Sequence, residues 1–161
     1  MTLTSEARLV GLISDTHGKL RPQVFSIFDG VDAIVHAGDI GDTDILDALR
    51  TIAPVHAVHG NTDDFDIRAV APESVAVELG GRRIMVVHGH MVGALNPRNL
   101  RAKFPACDVI VYGHTHVPFI DDTAVPLVVN PGAAGPARFN LKPSVAILDL
   151  TTMKVTPHPM D

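Results

Sequence analysis

Residues 8–17, "RLVGLISDTH", pass from an apolar run straight into Ser14-Asp15-Thr16-His17. A short apolar run cut off by polar residues reads as a buried strand, here Arg8 to Ser14, and not as an amphipathic helix. The arrangement recurs twice. "VDAIVHAG" (Val31 to Gly38) leads into Asp39, and "PVHAV" (Pro54 to Val58) leads into His59-Gly60-Asn61. Helical patterns lie between them. Pro22 can open a first helix with an apolar stripe of Val24, Phe25 and Phe28, and Asp42 or Thr43 can cap a second carrying Ile45, Leu46, Leu49 and Ile52. This βαβαβ order predicts a parallel sheet with right-handed crossovers.

The second half is mostly strand. "SVAVEL" (Ser74 to Leu79), Gly80-Gly81 and "RRIMVVH" (Arg82 to His88) form a hairpin signal around a two-residue glycine turn. Asn96-Pro97 opens a short helix with Leu100 and Phe104 four apart, ended before Pro105. Further strands are expected at Asp108 to Tyr112, Val117 to Ile120, Pro126 to Asn130, Ser144 to Leu150 and Lys154 to Thr156. No linker, repeat or change of composition divides the chain. The fold expected is therefore α/β (α+β), one domain spanning 1–161, with two mixed sheets face to face and helices outside each, a four-layer αββα sandwich.

Composition supports this and removes other classes. Of 161 residues 46% are hydrophobic and only 4% aromatic, with no Trp, so the core must be built from Val, Ile, Leu and Ala, which suits buried strands. A net charge of −5 argues against a nucleic-acid face, and Arg82-Arg83 and Arg98 to Lys103 read as solvated surface. "LVGLI" is too short for a signal peptide, no segment approaches a membrane span, and the single Cys107 suits a reducing compartment. The expectation is a cytoplasmic protein with no membrane partner.

Nine histidines stand against one Tyr. His36 and His56 lie inside apolar strands and read as structural, and His158 has no assigned role. The others gather at predicted strand ends: Asp15-Thr16-His17, Gly38-Asp39, Gly60-Asn61, His88-Gly89-His90 and Gly113-His114-Thr115-His116. Each has a plain alternative, since Asp15 can cap a turn, Asp39 and Asn61 are ordinary turn residues, and His88 can be a satisfied core histidine. Together they make another reading, because ligands of open α/β sheets sit beyond the carboxyl ends of the strands. Carboxylate, amide and imidazole donors without a thiolate suit Mn²⁺, Fe²⁺, Zn²⁺ or Ni²⁺ and disfavour a structural zinc site. Six or seven such donors are too many for one tetrahedral ion and fit two, roughly 3.5–4 Å apart around a bridging carboxylate, for which Asp39 in the middle strand is the natural choice.

Taken in order, these five motifs resemble those of the calcineurin-like metallophosphoesterase superfamily, and Asn130-Pro131-Gly132 with the compact length resembles its small bacterial and archaeal phosphodiesterase branch, which includes the metallophosphoesterase-like scaffold subunit of retromer. The likeness runs from about Leu9 to Leu150. It implies a dinuclear centre, with one ion held by Asp15, His17, Asp39 and His116 and the other by Asp39, Asn61, His88 and His114. Mn²⁺ is foremost, with Ni²⁺, Fe²⁺, Zn²⁺ or Mg²⁺ as alternatives. Two positions depart from the pattern. Thr62 stands where many relatives place a histidine that serves the leaving group, and Ala133 stands where the branch often has Ser. Arg138 is similar in placement to an arginine that meets a substrate phosphate.

The function expected is hydrolysis of a small phosphodiester by a hydroxide bridging two ions, with Asp39 and Asn61 at the catalytic centre, Asp63 orienting Asn61 or a ligand, and His59 or His90 as alternative proton sources. His59 can equally be a solvent-facing side chain at a strand end. A non-catalytic protein-interaction scaffold on the same fold is the rival from another class, and a phosphomonoesterase or a nuclease are further alternatives. A homodimer stays open.

Overall fold

The computed structural model describes residues 6–138 and 140–161. Its first sheet takes β1 (Leu9–Ile13), β2 (Ala33–His36), β3 (Val55–Ala57), β9 (Ser144–Asp149) and β10 (Lys154–Pro159) in the order β10-β9-β1-β2-β3. The second takes β4 (Ser74–Leu79), β5 (Arg82–Val87), β6 (Val109–Val111), β7 (Phe119–Asp121) and β8 (Leu127–Asn130) in the order β4-β5-β6-β8-β7. Both sheets are mixed. β1, β2 and β3 pair in parallel while β9 runs antiparallel to β1; β5, β6 and β8 pair in parallel while β4 and β7 run antiparallel at the edges.

Strand alternation sorts the side chains into layers. Val10 and Leu12 of β1, Val35 of β2, Val109 and Val111 of β6 and Val129 of β8 point into the core between the sheets. Their neighbours Ile13 and Ile34 pack outward with Val24, Leu46, Leu49 and Ile67, under α1 (Gln23–Ile27), α2 (Thr43–Arg50) and α3 (Phe65–Arg68). On the far side Ile110 and Val128 meet Leu100 of α4 (Pro97–Lys103). The result is the αββα order expected from the sequence. Gly80 and Gly81 close the β4–β5 hairpin with φ of 57° and 76°, the pair of positive angles that a type I′ turn requires.

Some local expectations shift. β1, β2, β3 and β6 are a residue or two shorter at each end than expected, β10 runs on to Pro159, and α3 was not foreseen, because four residues carry too little periodicity; Asp64 starts it by accepting from Ile67 N–H. Phe25 does not join the apolar stripe. With α1 reduced to little more than one turn, Val24 and Phe28 face the sheet four residues apart, and Phe25 is turned away and 42% exposed.

Two buried polar side chains tie the strand ends together. His36 closes β2, and its Nδ1 accepts from Gly38 N–H at 3.1 Å, so the proton sits on Nε2 and is donated to Thr16 Oγ1 at 3.0 Å. Thr16 in turn donates to the Ile40 carbonyl at 2.7 Å. The carboxylate of Asp63, only 4% exposed, accepts from Gly60 N–H (2.8 Å), Ile40 N–H (3.1 Å) and Gly41 N–H (3.0 Å), clamping the loop after β3 to the loop after β2.

Burial, offset in part by nearby Asp15 and Asp63, pushes the His36 imidazole down to about 4. The unfolded chain binds this proton below about 6.5 and the folded chain does not until about 4, so acidification across that window favours unfolding by about 3 kcal/mol. Urea titrations of wild type and His36→Gln are expected to show the stability gap between them narrowing by that amount from pH 7 to 4. Asp63→Ala leaves three backbone donors without their acceptor and is expected to lose about 3–5 kcal/mol in the same measurement.

Candidate metal centre

The five polar strand ends converge at one end of the sandwich. Five of the seven described non-glycine residues with positive φ are found there: Asp15 (53°), His17 (47°), Asp39 (53°), His114 (72°) and His116 (65°). Asp and His are among the few residue types that enter this region without prohibitive cost, and clustering of such angles marks loops whose side chains are aimed for a purpose. Glycines give the loops room to touch. A Cβ on Gly60 would run into the Asp39 carboxylate, and one on Gly113 would run into Ser14 Oγ and stand 2.7 Å from Asp15 Oδ2.

Each carboxylate is held by one oxygen and offers the other. Asp15 Oδ2 accepts from Ser14 Oγ–H (2.7 Å) and His114 N–H (3.1 Å), whereas Oδ1 is buried with no hydrogen-bond partner. Around that bare oxygen stand His116 Nε2 at 3.3 Å and His17 Nε2 at 3.6 Å, themselves 3.3 Å apart. Asp39 Oδ1 accepts from Thr62 N–H at 3.0 Å; Oδ2 lies 3.7 Å from His17 Nε2 and 3.2 Å from His88 Nε2. His88 Nε2 is also 3.0 Å from Asn61 Oδ1, and His114 Nδ1 lies 3.2 Å from Asn61 Oδ1 and 3.3 Å from His88 Nε2. Two donor sets thus form, Asp15–His17–His116 and Asp39–Asn61–His88–His114, with Asp39 Oδ2 reaching toward both.

These residues fit divalent ions. Donors about 2.0–2.2 Å from a common ion stand roughly 3.0–3.5 Å from one another, the spacing seen in both sets. The histidine tautomer fits as well: His88 Nδ1–H donates to the Ala37 carbonyl at 2.8 Å, which leaves the Nε2 lone pair directed into the site. Electrostatics point the same way. Burial raises the Asp15 carboxyl, but His116, His17, His88 and Ser14 outweigh it and hold it well below the usual range. Burial also opposes ionisation of Asp39, yet His88 and Thr62 N–H bring it down to about 2. At His88 burial disfavours the charged ring, and the Asp39 and Asp15 carboxylates raise its pKa all the same, so the site favours positive charge.

The remaining candidates surround this centre. The His90 ring lies 5.5 Å from that of His88 and 6.5 Å from that of His114, and its Nδ1 is buried without a partner. His59 is half-buried and engaged, Nδ1–H donating to the Ala71 carbonyl at 2.9 Å. Arg138 is exposed on the opposite rim, beside a cleft it lines with His116 and Lys142. Three residues support the centre, and two of them, Ser14 and Asn130, escaped the reading of the sequence. Ser14 fixes Asp15 and Asp63 clamps the loops; buried Asn130 donates to the Gly113 carbonyl (3.2 Å) and Thr115 Oγ1 (3.0 Å), bracing the loop that carries His114 and His116. Ser14 acts on its own neighbour Asp15, and that adjacency was its only signal; the partners of Asn130 lie on another segment and leave no local signature.

Known proteins place the same features in a family. The Calcineurin-like phosphoesterase superfamily domain matches residues 9–153. A probable metallophosphoesterase of Methanocaldococcus jannaschii is 40% identical over 142 residues, 83% of this chain and 72% of the relative. A solved archaeal protein described as a novel phosphodiesterase is similar with a TM-score of 0.79 and 25% identity, covering 94% of this chain and 99% of that one. Vps29 of Chaetomium thermophilum has a TM-score of 0.79 at 20% identity, covering 96% of both chains, a likeness of fold alone. With ordered motifs, architecture and a matched domain over most of its length, the chain belongs to the calcineurin-like phosphoesterase superfamily.

Proposed function

We propose that this protein is a metal-dependent phosphodiesterase using two divalent ions, acting on small phosphodiesters in a reducing, cytoplasmic setting. The observation that supports it most directly is Asp39: one oxygen tied to Thr62 N–H, the other shared between two convergent donor sets. When bound, divalent ions polarise phosphoryl oxygens and acidify water for attack on phosphorus. The oxygen and imidazole donors suit Mn²⁺ first, with Ni²⁺, Fe²⁺, Zn²⁺ or Mg²⁺ as alternatives.

The chain's own groups divide the remaining work. Asp39 holds the two donor sets in register, and His17, His88, His114, His116 and Asn61 fix the geometry from which a phosphoryl group is read. Arg138, exposed beside His116, is the cation on hand for a non-bridging oxygen of the substrate. No imidazole follows Asn61: the Thr62 side chain is exposed and its amide is committed to Asp39. A leaving alcohol must then take its proton from water or from His90, which flanks the second set, while His59 is anchored to the Ala71 carbonyl through one nitrogen and has only the other to offer.

The scaffold reading rests on the fold shared with Vps29. Against it stands the complete donor set, since a scaffold has no need of an orphaned Asp15 oxygen facing two imidazoles. The Mn²⁺-loaded protein is expected to hydrolyse bis(p-nitrophenyl) phosphate. Asp39→Ala should bind fewer than two ions by elemental analysis and lose at least ~10²–10³-fold in rate, the scale of removing a stabiliser of transition-state charge; an unchanged rate would remove Asp39 from the chemistry. A nitrophenolate departs unprotonated but an alkoxide does not, and a positioned acid contributes about 10²–10⁴-fold. Alkyl diesters are therefore expected to be slow, and His90→Ala to reduce the alkyl rate more than the aryl rate; equal losses would confine His90 to shaping the site.

A further inference from the structure

Beside the second donor set lies a hollow that the ion site does not use. It opens where the approach to β4, the loop after β5 and the end of α4 meet, and it is lined by Glu73, Ser74, His90, Val92, Lys103 and Phe104, with His88 at its inner end. It holds about 120 Å³, less than a site for a whole drug-sized ligand and enough for one compact arm of a substrate. His90 stands between hollow and centre: its ring is 5.5 Å from that of His88, whose Nε2 belongs to the donor set. A phosphoryl group held by the ligands has room for one substituent on this side.

The lining states what that substituent is. Glu73 and Lys103 bring opposite charges to one small space, and neither is in an ion pair among the described residues. An anionic group would be repelled by the first and a cationic group by the second. A hydroxyl group suits both, donating to the carboxylate and accepting from the ammonium. Ser74 adds a third group of the same kind, and His90 adds the edge of an imidazole. Val92 and Phe104 supply an apolar surface for the C–H face of the same group. A purely aliphatic or aryl substituent would leave these polar groups unused.

We propose that this hollow is the subsite for one ester arm of the substrate, and that the arm is a hydroxyl-bearing group of sugar or glycerol size. The substrate class is then an asymmetric phosphodiester joining a polyol or sugar to a second alcohol. The proposal rests on the phosphodiesterase reading and goes beyond it, because a metal centre alone selects no arm.

The test compares p-nitrophenyl diesters that share a leaving group and differ in the other arm: methyl, glycerol, and thymidine attached through its 5′ oxygen. With the Mn²⁺-loaded full-length protein, kcat/KM is expected to be about ten-fold higher for the glycerol or the thymidine ester than for the methyl ester, chiefly through KM, a difference worth one or two net hydrogen bonds. Which of the two leads names the source of the polyol. In Glu73→Gln and Lys103→Met, both exposed positions, the preference over the methyl ester should collapse toward one. Equal kcat/KM for all three esters would overturn the subsite and leave the phosphodiesterase reading standing. Failure to hydrolyse any ester would overturn the phosphodiesterase reading, and the subsite is then decided by titrating glycerol and thymidine into the ¹⁵N-labelled protein. Shifts confined to the amides of Glu73, Ser74, His90 and Lys103 support it, and their absence overturns it.

Discussion

The carboxylate of Asp39 is the constraint on which the rest depends. One oxygen is fixed by the Thr62 amide and the other faces imidazoles from two different sets. A buried carboxylate placed this way is costly unless positive charge answers it. The fold answers by bringing five strand ends from both sheets to one rim, so that each ligand loop is braced by another: Asp63 ties the loop of Asn61 to that of Asp39, and Asp15 accepts from the backbone of His114. Such mutual bracing makes the site a property of the whole sandwich and not of any one loop.

Positive φ at Asp15, His17, Asp39, His114 and His116 has the same origin. A strand delivers side chains alternately up and down, which would aim successive ligands to opposite faces. A left-handed step at the strand end turns the side chain inward toward a common centre. The step costs of order 1–3 kcal/mol each, and the surrounding hydrogen bonds, from Ser14, His36 and Asn130 among others, hold it in place. Stability is thereby exchanged for preorganised donors, so an arriving ion need not first arrange them.

The surroundings of the centre are unequal. Toward the first donor set the rim carries Arg138 and Lys142; toward the second it carries a mixed hollow of Glu73, Lys103 and apolar side chains. On the proposed reading, two ions set in this asymmetric rim would orient a diester, with charge recognised on one side and an ester arm on the other. On the same reading, specificity would rest on loop and helix-end residues outside the two donor sets, which can vary without disturbing the donors.

Much of this was legible in the sequence because it depends on local pattern. Apolar runs of Val, Ile and Leu broken by Gly and Asp located the strands, Gly80-Gly81 marked the hairpin, and the ordered Asp15, His17, Asp39, Asn61, His88, His114 and His116 marked the candidate ligands, since each sits where its own strand stops. What had no local signature was left to the tertiary structure. Phe25 lost its place in the core because α1 proved too short for a full stripe. Ser14 turned out to brace its neighbour Asp15, and Asn130 to brace the loop after β6 from another strand. The hollow between Glu73 and Lys103 exists only because β4 and the end of α4, distant in the chain, are packed beside β5. Residue type and order thus determined the fold and the donors by themselves; which oxygen is free, which nitrogen is protonated and what lies beside the centre were decided only when the strands paired, because those properties belong to contacts between segments and not to any segment alone.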